Sequence, residues 1–186
     1  GKIPSNDLIL LALKFVLSPN QEFNFNDLSD KTFLITGGST SEEIDPARRI
    51  TNNSSGSMGL HFAQAARFRG ANVTYIHGPL KLNEELKDGI KSIEIKTGRD
   101  LDKVVRSEIT NCDYFLMNAA VTDIKLSSDI SSKIPKNELS NHFSNNIELV
   151  PDILRDLRNL KKGHQLFMGF CAFTGELENL KNIVKK

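Results

Sequence analysis

The segment Thr32-Phe-Leu-Ile-Thr-Gly-Gly-Ser-Thr40 decides the fold. Its run Thr32 to Thr36 has the apolar, β-branched content of a strand buried on both faces, and Gly37-Gly38 turns the chain where that strand ends. Working outward, Ser54 to Gly70 places Met58, Phe62, Ala65, Ala66 and Phe68 at helical spacing with a glycine as stop. Asn72 to His77 reads as a second strand, Ile93 to Ile95 as a third, Arg99 to Ile109 as a helix and Tyr114 to Asn118 as a further apolar strand. Pro151 to Leu160 reads as a helix with proline at its first position, and Gln165 to Phe170 as a last strand. Upstream, Leu8, Leu11, Ala12 and Phe15 mark a short helix within Ile3 to Leu17, stopped by Ser18-Pro19-Asn20, and Gln21 to Asp30 reads as loop. Strands alternating with helices imply an α/β, doubly wound, mostly parallel sheet with helices on both faces, a Rossmann-like single domain. Ligands in such sheets sit at the carboxyl ends of the strands. The polar stretch Ile124 to Asn146 is too long for a simple connection and has the character of a functional lid.

Composition removes several function classes. The 186 residues suit one domain with a real core, and 39% hydrophobic with 25% charged residues is ordinary globular usage. A net charge of +1, from 24 basic and 23 acidic side chains, gives no footprint for nucleic acid or an acidic membrane surface, so small molecules are the expected partners. Cys112 and Cys171, without a CxxC, argue against a disulfide framework or thiolate metal site and for a reducing cytoplasm. Both cysteines are expected as small core side chains. The run Leu8 to Leu17 is too short for a membrane span, and no basic region precedes it as in a signal peptide. The chain begins with Gly1 and not Met, and the expectation is that the natural protein extends upstream.

Both ends of the first strand-to-helix connection suit an anion. Gly37-Gly38 lets the backbone approach a phosphate, and Ser54-Ser-Gly-Ser-Met-Gly59 opens a helix whose N–H groups and dipole favour negative charge. A plain turn with a serine cap is the bland alternative; having both features at the right ends of one βα unit favours phosphate binding. A short-chain NAD(P)-dependent oxidoreductase is a second alternative, because Met117-Asn-Ala-Ala120 follows a late strand. Against it, Ser41-Glu-Glu-Ile-Asp45 is inserted where a compact glycine fingerprint belongs, putting acidic side chains where pyrophosphate would lie. Neither Tyr75 nor Tyr114 begins a Tyr-x-x-x-Lys pair, since Pro79 and Asn118 stand at that spacing.

Ile35-Thr-Gly-Gly-Ser-Thr40, Asp45-Pro-Ala-Arg48 and Asn52-Asn-Ser-Ser-Gly-Ser-Met-Gly59 resemble the amino-terminal signature of the phosphopantothenoylcysteine synthetases. Arg69-Gly-Ala-Asn-Val-Thr74, His77-Gly-Pro79, Asn118-Ala-Ala-Val-Thr-Asp123, Lys133, Pro151-Asp-Ile153 and Met168-Gly-Phe170 agree in order and spacing, so the resemblance covers about Lys31 to Thr174. The Asp-Pro-x-Arg form is similar to the bacterial branch, which uses CTP. Gly1-Lys-Ile-Pro-Ser-Asn-Asp-Leu-Ile9 is similar to the end of the flavin-dependent decarboxylase that many bacteria fuse upstream; an unrelated surface helix is the alternative. On that resemblance residues 1–30 are a helix and linker that tail an upstream decarboxylase, which alone would bring FMN. Residues 31–186 are then the synthetase domain with an incomplete C-terminal part, Lys185 or Lys186 matching the first of the family's later lysines.

The resemblance implies a ligase that activates 4′-phosphopantothenate with CTP as an acyl-cytidylate and joins it to cysteine, releasing pyrophosphate and CMP, in a cytoplasmic homodimer. It implies catalytic roles for Asn52, on the acyl oxygen, and for Lys133, on the triphosphate. Gly37, Gly38, Ser54, Gly56, Gly59, Asp123, Lys133, Pro151, Asp152 and Phe170 would surround the nucleotide. Ala119 and Ala120 would offer backbone atoms beside the substrate, and Arg48 would reach the substrate phosphate in the neighbouring subunit. No protein metal site is expected, because His61, His77, His142 and His164 share no ligand spacing and Mg²⁺ would arrive on the nucleotide. Phe173 stands where the family usually has a glutamate. A catalytically silent nucleotide-binding module is the reading from another class.

Overall fold

The computed structural model describes residues 4–17, 26–81, 84–127, 131–172 and 174. In chain order these form α1 (Asn6–Val16), β1 (Thr32–Gly37), β2 (Ser41–Asp45), β3 (Arg48–Thr51), α2 (Ser57–Phe68), β4 (Asn72–His77), β5 (Lys91–Glu94) and α3 (Gly98–Glu108). There follow β6 (Tyr114–Met117), β7 (Ile124–Leu126), α4 (Leu139–Asn146), β8 (Ile147–Leu149), α5 (Ile153–Leu157) and β9 (Leu166–Gly169). Five of the described strands make one sheet in the order β5-β4-β1-β6-β9, all neighbours parallel. The α/β, doubly wound expectation holds. The chain leaves β1 toward one side and later returns to its other side with β6, so the topological switch lies between the carboxyl ends of β1 and β6.

Alternation along the central strands divides the core into two layers. Leu34, Ile76, Phe115 and Met117 pack with Leu101, Val105 and Ile109 of the α3 side and with Ile153 and Leu157 of α5. Their neighbours Ile35, Val73, Tyr75 and Leu116 pack on the other face with Leu60, Ala63 and Ala66 of α2. Successive strand side chains point to opposite faces, so both faces of these strands are apolar, which is why the sequence shows continuous runs. Thr97 and Asp100 form a capping box that starts α3, and Gly70, at φ 89°, ends the turn after α2.

The structure departs from the sequence expectation in four places. The polar stretch before Asn53 contains the antiparallel hairpin β2–β3, paired from Ser41↔Thr51 to Asp45↔Arg48. The stretch Ile124 to Asn146 is partly regular: β7 pairs antiparallel with β8, and α4 leads into β8. Pro151 is not the first helical residue, because Asp152 caps α5 by accepting the Arg155 N–H at 3.1 Å, and the helix passes into a 3₁₀ turn at Arg158–Leu160. Cys112 is buried, but Cys171 is exposed just past β9, so only one of the two is a core side chain. Ser18-Pro19-Asn20, residues 21–25, Gly1 to Ile3, Phe173 and the terminal lysines lie outside the described residues. Among the described residues no helix is long and apolar enough to cross a membrane.

The two thiols should therefore differ sharply in reactivity. Burial pushes the Cys112 thiol up to about 11, and its Sγ donates to the Ile109 carbonyl at 3.3 Å. An aromatic disulfide reagent at pH 8 should label Cys171 quickly and Cys112 only after unfolding; equal rates for both would contradict the packing of Cys112.

Candidate active site

Thr36, the residue before the last of β1, organises the crevice. Its hydroxyl oxygen is wholly buried, accepts the N–H groups of Asn118 and Ala119 at 3.0 Å each, and donates to Met117 Sδ at 3.4 Å. The turn after β6 is thereby held to the end of β1. Beyond the sheet the two chains stay paired, with Ala120 N donating to Gly38 O at 2.8 Å and Thr40 N to Ala120 O at 3.1 Å. Gly38 adopts φ +72°, and a Cβ there would meet the Gly78 carbonyl at 3.2 Å. Glycine is required on both counts.

Opposite this turn stands the start of α2. Its N-cap is Gly56 at φ 77°, with no side-chain cap; Ser54 Oγ accepts the Gly56 N–H at 3.4 Å and Ser55 Oγ the Ser57 N–H at 3.2 Å. First-turn N–H groups have no intrahelical partners, so the uncapped end is suited to an anion. Gly59 presses on β1: a Cβ would sit 2.8 Å from Thr36 O and 3.1 Å from Asn118 Nδ2. Tyr75 supports the helix from beneath, its hydroxyl donating to Gly56 O at 3.1 Å. Burial raises the Tyr75 phenol above the usual range. Tyr114 stacks on Phe33 at 4.5 Å at the start of β6, the end of the strand away from the crevice.

Asn52 follows β3 directly and donates Nδ2 to Val121 O at 2.8 Å, which lays its amide beside Ala119 and Ala120. Phe170 donates its backbone N–H to Met117 O at 3.2 Å, and its ring lies 5.5 Å from that of Phe62 on α2. Gly37, Gly38, Gly56, Gly59, Asn52, Ala119, Ala120 and Phe170 thus share one edge of the sheet, with Ser54 at its rim. Asp123 is exposed, and its carbonyl accepts Val150 N at 2.9 Å, which brings Pro151 and Asp152 alongside it.

Arg48 and Lys133 come together at a second place. They line a cavity of about 550 Å³ with Ala47, Ile134, Pro135 and Lys136. Arg48 opens β3 and Asn52 follows its end; four residues of strand separate them by about 13 Å. Arg48 Nε and Nη2 donate to Asp45 Oδ2 at 3.0 and 2.5 Å, and Nη2 also to Ile134 O at 2.7 Å. The Arg48 guanidinium holds the Asp45 carboxyl far below its ordinary value of 3.8, with help from the N–H groups of Ala47 and Ile134. Because the folded-state value is depressed, the stabilisation is present above pH 3.8 and is lost as pH falls further. The other inserted acids are also engaged: Glu42 Oε1 accepts Gly98 N at 2.8 Å, and Glu43 pairs with Lys96. Each of the three inserted carboxylates is thus committed to its own partner.

The family model for the DNA/pantothenate metabolism flavoprotein C-terminal domain matches residues 28–185. The chain belongs to that family. It is 37% identical over 189 aligned residues to the coenzyme A biosynthesis bifunctional protein CoaBC of Borreliella burgdorferi, covering 100% of this chain and 44% of that relative. It is 33% identical over 170 residues to the CoaBC protein of Vibrio vulnificus, covering 91% of this chain and 42% of that one. The chain thus spans less than half the length of the curated relatives it matches. A crystal structure of the C-terminal domain of a CoaBC protein superposes with TM-score 0.70 at 31% identity, covering 85% of this chain and 72% of that one.

Within this flavoprotein C-terminal domain, sequence reasoning missed Thr36 as the double acceptor and Asp45 as the partner of Arg48. Thr36 carries no signal apart from its place before the glycine pair. Asp45 was visible as the first residue of Asp45-Pro-Ala-Arg48, where a two-residue turn brings residues i and i+3 together. The cradle itself yields a test. Gly59→Ala in this family member should lower stability by about 1–3 kcal/mol in urea denaturation, the usual cost of overpacking, and weaken nucleotide binding by calorimetry. Unchanged values for both would mean that α2 does not need its close approach to Thr36.

Proposed function

We propose that the chain is the phosphopantothenate–cysteine ligase part of a coenzyme A biosynthesis protein. The observation that carries this reading is the glycine cradle at the topological switch, with the Asn52 amide fixed beside Ala119 and Ala120. A carboxylate is a poor acyl donor and must first become a mixed anhydride. The carboxylate of 4′-phosphopantothenate attacks the α-phosphorus of CTP and pyrophosphate leaves. The amine of cysteine then attacks the acyl carbon, loses a proton, and expels CMP to give the amide. No protein nucleophile is needed, so catalysis is positioning and charge stabilisation.

In this reading Gly37, Gly38, Ser54, Gly56 and Gly59 hold the nucleotide phosphates, and Phe170 flanks the nucleotide. Asp123 and the Pro151-Asp152 turn meet its ribose or base. Asn52 holds the acyl oxygen, Lys133 neutralises the triphosphate and Arg48 takes the substrate phosphate. Mg²⁺ enters on the triphosphate, held by phosphate oxygens and water. The protein works as a cytoplasmic homodimer: a free, exposed Cys171 suits a reducing compartment, and exposed Ile147 and Leu149 on the β7–β8 arm offer a second copy an apolar face. An FMN decarboxylase fused upstream accords with the bifunctional relatives and their greater length. A silent nucleotide-binding module is the second reading, because Lys133 stands in the Arg48 cavity.

Incubation with 4′-phosphopantothenate, cysteine and CTP or ATP, with products read by mass, decides between the two. The ligase reading expects the cysteine amide and CMP, with kcat/KM for CTP well above that for ATP. Buried partners left unpaired by the wrong base are worth several kcal/mol, on the order of 10²-fold or more. Equal values for the two nucleotides would refute the CTP assignment, and absence of amide would favour the silent module.

A second test separates the two steps. Lys133→Gln should slow acyl-cytidylate formation by about 10²–10³, the usual cost of one preorganised donor, whereas Asn52→Ala should also slow capture by cysteine. Rapid-quench measurement of acyl-cytidylate and CMP reads the steps separately; wild-type formation in Lys133→Gln would make that lysine a solvated loop residue.

A further inference from the structure

Lys133 lies in a polar segment, and the simplest picture is a lysine on a lid whose main chain closes over the nucleotide. The contacts of its neighbour argue otherwise. Asp45 is 3% exposed and gathers three donors from two parts of the chain. Its Oδ1 accepts Ala47 N at 2.9 Å, and its Oδ2 accepts both Arg48 and Ile134 N, the latter at 3.1 Å. Arg48 returns the grip by donating to Ile134 O at 2.7 Å. Both polar groups of residue 134 are thus held by one acid–base pair of the β2–β3 hairpin, while the Ile134 side chain is 6% exposed.

The hairpin is itself anchored. Ser41 N donates to Lys96 O at 2.8 Å, Thr51 Oγ1 to Thr40 O at 2.8 Å, and Asn52 at its base to Val121 O at 2.8 Å. A buried carboxylate shared among three donors is costly to uncover, since each would be left unpaired. The segment 133–136 is therefore continuous with the rigid end of the sheet.

We infer that Asp45 is a positioning residue that fixes the main chain at Ile134 to the β2–β3 hairpin, so that Lys133 delivers its charge by side-chain movement from a fixed backbone. The inference rests on the ligase reading for what Lys133 does and is independent of it for how the loop is held. It also gives the Asp45-Pro-Ala-Arg48 motif a second task, holding the loop as well as presenting Arg48.

Three measurements on the full chain test it. In the unmodified protein the Ile134 amide should exchange with deuterium about 10²-fold more slowly than in an unstructured peptide; exchange at the free rate overturns the tether, whatever the behaviour of any variant. In Asp45→Asn, with folding checked by circular dichroism, trypsin should cut after Lys133 about tenfold faster than in wild type, while cleavage after the distant Lys161 is unchanged. Equal cleavage after Lys133 overturns the tether as well. In rapid-quench assays of acyl-nucleotide formation at saturating 4′-phosphopantothenate, where a weakened contact of Arg48 with the substrate phosphate no longer limits the rate, Asp45→Asn should be slow, and Asp45→Asn/Lys133→Gln no slower than Lys133→Gln alone. Multiplying losses would make Asp45 a general stabiliser and overturn the positioning role. A fully active Lys133→Gln overturns that role too, and the exchange and trypsin results then show that the fault lies in the function given to Lys133 and not in the tether.

Discussion

The close seating of α2 on the end of β1 is the constraint on which the rest of the molecule depends. Gly59 brings the helix against the Thr36 carbonyl, while the Thr36 hydroxyl grips the turn after β6. One residue therefore sets two walls of the crevice. A larger side chain at position 59 would move the helix end, and loss of the hydroxyl would free two half-buried N–H groups. The apolar layers on either face of the sheet supply the bulk of the burial, but they do not by themselves choose where the first N–H groups of α2 point. That choice lies in a few polar and glycine positions at the carboxyl edge.

The insertion between β1 and α2 is a second structural layer built on the first. Its acids would repel a bound polyphosphate if they were free. Glu42 instead caps α3 through Gly98, Glu43 meets Lys96, and Asp45 is saturated by Arg48 and backbone N–H groups. The result is a hairpin that carries Asn52 at one end and Arg48 near the other, an amide and a guanidinium spaced along one rigid strand.

The sheet was legible in the sequence because its strands are apolar on both faces: Thr32 to Thr36, Asn72 to His77 and Tyr114 to Met117 stand out against polar surroundings. The hairpin was not, since Ser41-Glu-Glu-Ile-Asp45 buries Glu42 and Asp45 while exposing Glu43, and a bulge between Glu43 and Asp45 breaks the alternation. Charged residues buried for their partners look like surface until the partners are known. The helix at 151–160 was misplaced by two residues because proline at N1 and aspartate at the N-cap are both favourable starts, and here the hydrogen bond to Arg155 decided. The glycine and Asn52 positions were legible by motif. Their grouping with Phe170 required the order of the strands, and the seat of Lys133 beside Arg48 is a tertiary fact with no local sign.

Tyr75 adds an optical property to this architecture. The chain has no tryptophan and two tyrosines, so emission excited at wavelengths longer than the phenylalanine band comes from Tyr75 and Tyr114. The Tyr75 hydroxyl rests on the Gly56 carbonyl, and its ring lies beneath Gly37. A ligand that shifts the first turn of α2 by a few tenths of an ångström alters the hydrogen bond of one of only two emitters. The unlabelled protein thus carries a native fluorophore wired to the floor of the crevice between β1 and α2.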